Sequence, residues 1–199
     1  FLKYCGNDIK LYKYPFTSIF DDEILKKPLS KSEKSLLKID LDLNPNLNYA
    51  IAVGRFIKLK KFDELIKIWA KLSTNWVLLI VGDGEEISYY ESLINEFQLH
   101  NVKLVKYKPK SDLMNYYKIS ELFIHPTESD VWGLVVNEAM ANALPIITTD
   151  KCISAYDLVE NGVNGYMVNS DDYSDLMSKI QYLIKNDKLR EDMSINSLK

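Results

Sequence analysis

From Asn48 onward, the sequence alternates short apolar runs with segments in which apolar residues recur at helical spacing. Strands and helices that follow one another in this way are typical of a parallel sheet with helices packed against it. We predict strands near residues 49–53, 77–81, 102–105, 122–124, 146–148 and 166–168. The runs are almost entirely apolar, which indicates strands buried on both faces. The predicted fold class is a doubly wound, Rossmann-like α/β domain with its ligand at the carboxyl ends of the strands.

The segments between these strands carry an apolar face at helical spacing. One such face consists of Phe62, Leu65, Ile66, Trp69 and Leu72. A second helix is predicted over residues 171–185, behind a Ser-Asp pair that is expected to cap its first turn. We assign both apolar faces to the core.

Residues 1–46 lack this periodicity, are dense in Lys and Asp, and contain Pro15, Pro28 and Pro45. We interpret this stretch as a leader or linker. The chain starts at Phe1 and has no recognisable signal peptide, so we expect an excised fragment of a longer protein. Its 199 residues are enough for one well-buried domain with an appended segment.

Composition narrows the class of ligand. The chain is 47% apolar and 27% charged, as ordinary soluble globular proteins are, and no apolar run approaches the roughly 20 residues that span a bilayer. The net charge of -3, with both signs interspersed, argues against a nucleic-acid binder and favours small-molecule partners. Cys5 and Cys152 lack the spacing of a metal site or a disulfide framework, so we expect a reducing, cytoplasmic compartment.

The stretch at residues 123–150 brings two carboxylates to the start of a predicted helix. A strand enters a polar loop that contains Asp130, and Gly133 lies in the first turn of the helix that follows. Between Gly133 and Thr148, Glu138 is the one charged side chain, which favours a cleft over a solvated helix face. Asp130 fits two roles on local grounds, a ligand-binding carboxylate or the N-cap of the helix.

The loop after the first strand, residues 54–61, brings cations to the same edge of the sheet. Of the 25 basic residues in the chain, only Arg55 and Arg190 are arginines. A planar guanidinium suits the forked recognition of phosphate oxygens, so Arg55 is the stronger candidate. A single lysine here, such as Lys60, is more typical of a solvated surface charge.

Other features at this edge give weaker signals. The Gly82-Asp83-Gly84 turn lacks the third glycine of a dinucleotide fingerprint, because Ile87 occupies that place. His125 and His100 are the chain's two histidines, and neither has a serine or cysteine partner at a spacing typical of nucleophilic catalysis. We interpret His125 as a core or supporting residue and not as a base.

Residues 126–145 resemble the donor domain of the retaining family-4 glycosyltransferases of GT-B fold. That family carries the pattern P-S-x-x-E-x-F-G-L-x-x-x-E-A-M-A-x-G-x-P. The residues that match it in register are Pro126, Thr127, Asp130, Trp132, Gly133, Leu134, Glu138, Ala139, Met140, Ala141 and Pro145. Asp130 replaces the family's first Glu, and Ala143 replaces the Gly before Leu144. Glu128 is a substitute acid that is out of register by two positions.

The resemblance implies a role for each matching residue. Asp130 and Glu138 are the implied catalytic pair, with Asp130 on the transferred sugar and Glu138 on the ribose hydroxyls. Arg55 and Lys60 are implied diphosphate ligands, in a loop similar to the family's G-R-L-x-x-x-K-G. The other implied donor-binding positions are Gly54, Gly82, Tyr107, Gly133, Leu134 and Val135.

The resemblance also implies a domain organisation and an activity. Residues 1–47 are the tail of an N-terminal domain and the interdomain linker, with a weaker similarity at residues 14–18, and residues 48–199 are the donor domain. The implied reaction is retaining transfer from a nucleotide-diphosphate sugar, without a cofactor or a metal. The implied acceptor is a saccharide or lipid-linked molecule held by the N-terminal domain, in polysaccharide or glycoconjugate biosynthesis. The implied location is cytoplasmic, with peripheral association at the inner face of the membrane.

Two other functions stay open. A retaining glycosidase uses two carboxylates, here Asp130 and Glu138, but that function leaves Arg55 and Lys60 without a role. A non-catalytic module that binds a sugar nucleotide or a phosphate fits the same residues. Nucleotide binding without turnover distinguishes such a module from the complete enzyme.

Overall fold

The computed structural model describes residues 19–199, which contain one six-stranded sheet. The strands are β1 (Tyr49–Val53), β2 (Val77–Gly82), β3 (Val102–Lys106), β4 (Leu122–His125), β5 (Ile146–Thr149) and β6 (Gly165–Val168). Their order in the sheet is β3-β2-β1-β4-β5-β6, and every neighbouring pair is parallel. All six predicted strands are present, with bounds within about one residue of the prediction. The predicted doubly wound α/β class is confirmed.

The helices of residues 19–199 cover both faces of this sheet. They are α1 (Lys31–Asp40), α2 (Phe62–Lys71), α3 (Ile87–Glu96), α4 (Lys110–Ile119), α5 (Leu134–Ala141), α6 (Ala155–Leu158), α7 (Tyr173–Lys185) and α8 (Asp187–Asn196), with short 3-10 turns at Asp21–Glu23 and Lys58–Lys60. Helices α2, α3, α7 and α8 pack on one face, and α1, α4, α5 and α6 pack on the other. None of the helices in this range has the length and apolar content needed to cross a membrane.

The two faces explain why β1 and β2, inside the sheet, are apolar throughout, whereas the edge strand β3 is not buried on both faces and exposes Lys103 and Lys106. Successive side chains of a strand point to opposite faces, and every residue of β1 is buried. Ala50 and Ala52 therefore belong to one core, while Tyr49, Ile51 and Val53 belong to the other. The small alanines face α2, whose predicted apolar positions are fully buried except for Leu72, which follows the helix and packs at the margin of the core.

The predicted cap of α7 is wrong by one residue. The N-cap is Asp172, whose side chain accepts a hydrogen bond from the Asp175 amide at 2.9 Å. The preceding Ser170 amide donates instead to Asp150 Oδ1 at 2.9 Å. This long-range contact keeps the chain in a turn for longer than the Ser-Asp pair predicts, so the helix begins later.

The predicted linker contains a helix. Ser30 caps α1 in a capping box with Glu33, a local signal that the sequence carries. Leu37 of this helix packs against the core on the face of the sheet that α4, α5 and α6 also cover. Lys34 Nζ lies 2.7 Å from Oε2 of Glu121, the residue before β4. The domain boundary at residue 47 stays a prediction, and residues 14–18 lie outside the described residues.

The centre of the sheet determines where a ligand can enter. β1 and β4 are neighbours, yet the chain leaves β1 toward β2 and β3 on one side and leaves β4 toward β5 and β6 on the other. In doubly wound sheets, a ligand binds at such a switch point, in the crevice outside the carboxyl ends of the strands. This is the edge at which the sequence predicts a ligand.

Candidate functional site

The loops after β1 and β4 are tied to each other at the carboxyl edge of the sheet. Thr127 Oγ1 donates to the Leu59 carbonyl at 3.1 Å, and the Glu128 amide donates to the same carbonyl at 2.8 Å. Lys61 Nζ adds an ion pair with Glu128 Oε2 at 2.6 Å. These contacts hold the cations of one loop at a defined distance from the carboxylates of the other.

Asp130 is the centre of a charged cluster in this crevice. Its Oδ2 atom lies 2.6 Å from Lys60 Nζ and 3.0 Å from His125 Nε2. The exposed fraction of the side chain is 19% for Asp130, 12% for Lys60 and 0% for His125. A carboxylate in contact with an ammonium group and a ring N–H keeps its charge despite this burial.

The titration behaviour of the cluster follows from these contacts. Burial acts to raise the pKa of Asp130, but the hydrogen bonds from His125 and Lys60 outweigh it and hold that pKa well below its usual value. Burial lowers the pKa of His125, and the contact with Asp130 offsets only part of this effect. His125 is therefore neutral at pH 7, and because a carboxylate only accepts hydrogen bonds, Nε2 carries the proton.

The structure excludes one of the two local roles of Asp130, that of the N-cap. The N-cap of α5 is Gly133, and no side chain caps this helix. Asp130 instead forms a parallel bridge with Cys152 in the segment after β5, where its amide donates to the Lys151 carbonyl at 3.0 Å. Asp130 is therefore not an N-cap, and its role as a ligand-binding carboxylate stays a prediction.

Glu138 is not on a solvated helix face. It lies on α5, where Oε2 accepts a hydrogen bond from the hydroxyl of Tyr117 at 3.0 Å. Tyr117 belongs to α4 and is fully buried. Burial raises the pKa of Glu138, whereas the hydrogen bond from Tyr117 and the charge of Lys110 oppose that rise. The solvated helix face is thus excluded for this carboxylate, and its place in a ligand cleft stays a prediction.

The start of α5 lies beside the cluster. Gly133 has a positive φ of 83°, and a Cβ atom at this position would lie 2.4 Å from Cys152 Sγ. Leu134 and Val135 form the first turn of the helix, whose amides have no acceptor within the helix. The helix dipole adds partial positive charge at this end, next to the crevice.

Gly54 and Gly82 have a packing role. The Gly54 amide donates to the Val81 carbonyl at 3.1 Å, which joins the loop after β1 to the end of β2. A Cβ atom at Gly82 would lie 1.9 Å from the Gly54 carbonyl oxygen and 2.8 Å from the Phe56 ring. The absence of a side chain at position 82 therefore allows the two loops to approach each other.

Within residues 19–199, neither Arg55 nor Tyr107 forms a hydrogen bond or an ion pair with the carboxylates of Asp130 and Glu138. Arg55 is exposed, and no ion pair involves it within residues 19–199. Tyr107 follows β3 with 70% of its surface exposed. Glu128, the substitute acid, has a side chain that is 49% exposed and is paired with Lys61. The donor-binding roles of Arg55 and Tyr107 stay predictions.

Sequence reasoning did not identify which side chains contact the two carboxylates. His125 is interpreted from the sequence as a core or supporting residue, and both its burial and its contact with Asp130 agree with that interpretation. Its place at the end of an apolar strand, at the ligand edge, is a signal for such a role. Tyr117 has no comparable signal, because its contact with Glu138 depends on how α4 packs beside α5.

A cavity of about 620 Å³ lies at the opposite edge of the sheet, between α1 and α8. Lys34, Lys38 and Arg190 line it, together with Asn48 and Glu121, which precede β1 and β4. Each of the three cations already donates to a carboxylate or a carbonyl of the chain. We assign the candidate site to the carboxyl edge, because Lys60, Asp130 and the first turn of α5 meet there at the switch point of the sheet.

A doubly wound sheet with cations, two carboxylates and a helix start at its switch point is typical of a domain that binds a phosphate-containing nucleotide. The chain belongs to the family of glycosyl transferases group 1, whose profile matches residues 33–199. The resemblance drawn from residues 126–145 is thus confirmed at the level of the family.

One curated relative and two solved structures illustrate the match. The capsular polysaccharide biosynthesis glycosyltransferase CapM of Staphylococcus aureus is 34% identical over 158 residues, which are 77% of this chain and 41% of CapM. The structure of Anabaena Alr3699/HepE in complex with UDP and glucose has a TM-score of 0.76 at 22% identity, over 86% of this chain and 47% of that chain. The C-terminal domain of the group 1 glycosyl transferase LpcC from Francisella tularensis has a TM-score of 0.73 at 19% identity, over 86% of this chain and 91% of that chain.

These matches confirm the GT-B fold and its C-terminal half. The chain spans less than half the length of the curated relatives that it matches, 41% in the case of CapM. By contrast, it covers almost all of the LpcC C-terminal domain.

Proposed function

We propose that this chain is the donor-binding domain of a retaining, metal-independent glycosyltransferase that uses a nucleotide-diphosphate sugar. One observation carries the proposal: the ammonium group of Lys60 and the carboxylate of Asp130 meet at the switch point, beside the first turn of α5. This arrangement offers positive charge to a diphosphate and a carboxylate to a sugar hydroxyl within one crevice.

The reaction requires positive charge because the leaving group is a nucleoside diphosphate. Its departure concentrates negative charge on the β-phosphate, which groups already in place stabilise best. Lys60 uses one of its three donors on Asp130. Its remaining donors, Arg55 and the first amides of α5 supply the potential that the proposal requires. Asp130 holds the transferred sugar, and Glu138 holds the ribose hydroxyls.

The relatives support the biological setting of the proposal. CapM is named for capsular polysaccharide biosynthesis, and the HepE complex contains UDP and glucose. We infer by analogy that the longer protein elongates a cell-surface polysaccharide or glycoconjugate. Its acceptor is a saccharide or a lipid-linked molecule, which an N-terminal domain holds at the cytoplasmic face of a membrane.

A calorimetric screen of UDP, GDP and ADP, and of their hexose conjugates, tests the proposal directly. We expect one nucleotide series to bind the chain, and Lys60→Ala to weaken that binding. Lys58→Ala is the matched control, because Lys58 is an exposed lysine of the same loop. The proposal fails if no nucleotide binds, or if both lysine variants bind as the unchanged chain does.

A further inference from the structure

The ring of His125 is held in one position. His125 ends β4, and its carbonyl accepts a hydrogen bond from Thr148 Oγ1 of β5 at 3.2 Å. The imidazole stacks on the ring of Phe123, with 6.0 Å between centroids and 17° between planes. The side chain is fully buried. Nε2 therefore presents its proton to Asp130 from a fixed direction.

The two oxygens of Asp130 differ in their surroundings. Oδ2 contacts both His125 Nε2 and Lys60 Nζ, whereas Oδ1 accepts no hydrogen bond from any group in residues 19–199. The backbone is fixed as well, because the Ile153 amide donates to the Asp130 carbonyl at 3.3 Å. Within the described part of the chain, Oδ1 is thus the free acceptor of a carboxylate whose other oxygen is anchored twice.

This asymmetry matters because Asp130 stands where the resembled pattern has a glutamate. A side chain that is one methylene shorter reaches less far, so its direction decides which hydroxyl it meets. Lys60 also contacts Oδ2, but its flexible stem is less able than a stacked, buried ring to define an angle. The group that sets the direction of Oδ1 is therefore the imidazole.

We propose that His125 is a positioning residue for the donor sugar, which anchors Oδ2 of Asp130 so that Oδ1 meets a hydroxyl of the transferred sugar. This inference rests on the proposed function. His125 does not touch the sugar itself, and its effect passes through Asp130. It should therefore act on the recognition of a sugar nucleotide and leave the bare nucleoside diphosphate unaffected.

Two amide substitutions test this role. In His125→Gln the amide nitrogen reaches the place of Nε2, whereas in His125→Asn it ends near Nδ1 and is too far from Asp130. Calorimetry with UDP, GDP and ADP measures the affinity for the nucleoside diphosphate, and calorimetry with their hexose conjugates measures the affinity for the sugar nucleotide. The ratio of these two affinities is compared between the variants. His100→Gln, at an exposed histidine, is the control.

We expect His125→Asn to lower the ratio of sugar-nucleotide to diphosphate affinity by about tenfold, the effect of one lost hydrogen bond to a charged group. His125→Gln should keep the ratio of the unchanged chain, and the diphosphate affinity should stay constant in both variants. If thermal melting shows that His125→Asn is unfolded, His125→Met replaces it with the same expected loss. An unchanged ratio, or an equal loss of diphosphate and sugar-nucleotide affinity in both amide variants, overturns the proposal.

A second measurement separates this inference from the proposed function. If no nucleotide binds the unchanged chain, the proposed function fails, and the anchoring of Asp130 is then tested alone. The titratable groups around this carboxyl are His125, Lys60 and Cys152. Carbon-13 NMR should show a higher pKa for Asp130 in His125→Asn than in His125→Gln, and equal values would overturn the anchoring.

Discussion

Asp130 and His125 share a hydrogen bond, but in the folded chain Asp130 is charged and His125 is neutral. Asp130 keeps its charge, because His125 and Lys60 outweigh the cost of burial and lower its pKa. His125 loses its charge, because burial lowers its pKa more than Asp130 raises it. The pair is thus a neutral donor and a charged acceptor, and protonation of either partner weakens the folded state.

The neutral state of His125 predicts a pH dependence of stability. Its pKa is lower in the folded chain than the usual value of about 6.5, so the folded state binds fewer protons than the unfolded state. The stability it contributes is complete above about pH 6.5 and is lost as the pH falls below it, by up to about 1.4 kcal/mol per pH unit.

Urea unfolding between about pH 7.5 and pH 4.5 measures this slope. His125→Gln should remove its contribution, because the amide does not titrate. His100→Gln is the control for the same substitution at an exposed position. Equal slopes for the unchanged chain and His125→Gln would show that His125 titrates alike in the folded and unfolded states.

Arg55 should bind the diphosphate directly. It is exposed in the loop after β1 and makes no ion pair within residues 19–199. Arg55→Ala should weaken nucleoside diphosphate binding by about 1.5 to 3 kcal/mol, as expected for hydrogen bonds between charged groups. Calorimetry at rising salt concentration should show a weaker salt dependence in the variant. Equal affinity in both proteins would remove Arg55 from the site.

Glu138 should hold the ribose and take no part in proton transfer. Glu138→Gln should then weaken the nucleoside diphosphate and the sugar nucleotide by the same factor, since both contain the ribose. Calorimetry with both ligands measures this directly. Intact nucleotide affinity, combined with loss of transfer in the complete enzyme, would instead assign a chemical role to this carboxylate.

At the scale of the elements, the start of α5 depends on Gly133. Its φ of 83° and the 2.4 Å approach of a Cβ atom to Cys152 Sγ both oppose a side chain here. Gly162 is a matched control, because its φ is 81° and a Cβ atom there would meet nothing within 4 Å.

Gly162→Ala should cost about 1 to 2 kcal/mol of unfolding free energy, the cost of a left-handed conformation alone. Gly133→Ala should cost more, and it should also weaken diphosphate binding by moving the first turn of α5. Adding Cys152→Ala should recover part of the loss. Equal destabilisation of the two single variants, measured by urea unfolding, would contradict the steric contact.

Elements were predictable to different degrees for physical reasons. The strands were readable because a strand buried on both faces is apolar at every position, as β1 and β2 are. The N-cap of α7 was not predictable, because the turn before it is held by a hydrogen bond from the Ser170 amide to Asp150, which lies 20 residues earlier in the sequence. Helix α1 carries a local capping signal, but its apolar face is narrow and depends on the sheet against which it packs.

For the whole molecule, we predict that this chain binds its donor but does not transfer sugar. In a GT-B enzyme the acceptor and the exclusion of water come from closure of a second domain over the crevice. The test is incubation with the tightest-binding donor and with saccharide or lipid-linked acceptors, followed by mass spectrometry. Robust product from the chain alone would refute the two-domain requirement, whereas trace hydrolysis of the donor is compatible with it.

The sequence by itself determined the strands and the parallel sheet, and with them the edge at which we predict a ligand, because apolar runs and helical spacing are local patterns. It also identified Asp130 and Glu138, because the motif that contains them is continuous. Only the tertiary structure decided that Lys60, 70 residues away in sequence, meets Asp130, and that His125 and Tyr117 each hold one carboxylate. Those contacts depend on which strands are neighbours and how the helices pack, and no local pattern carries that information.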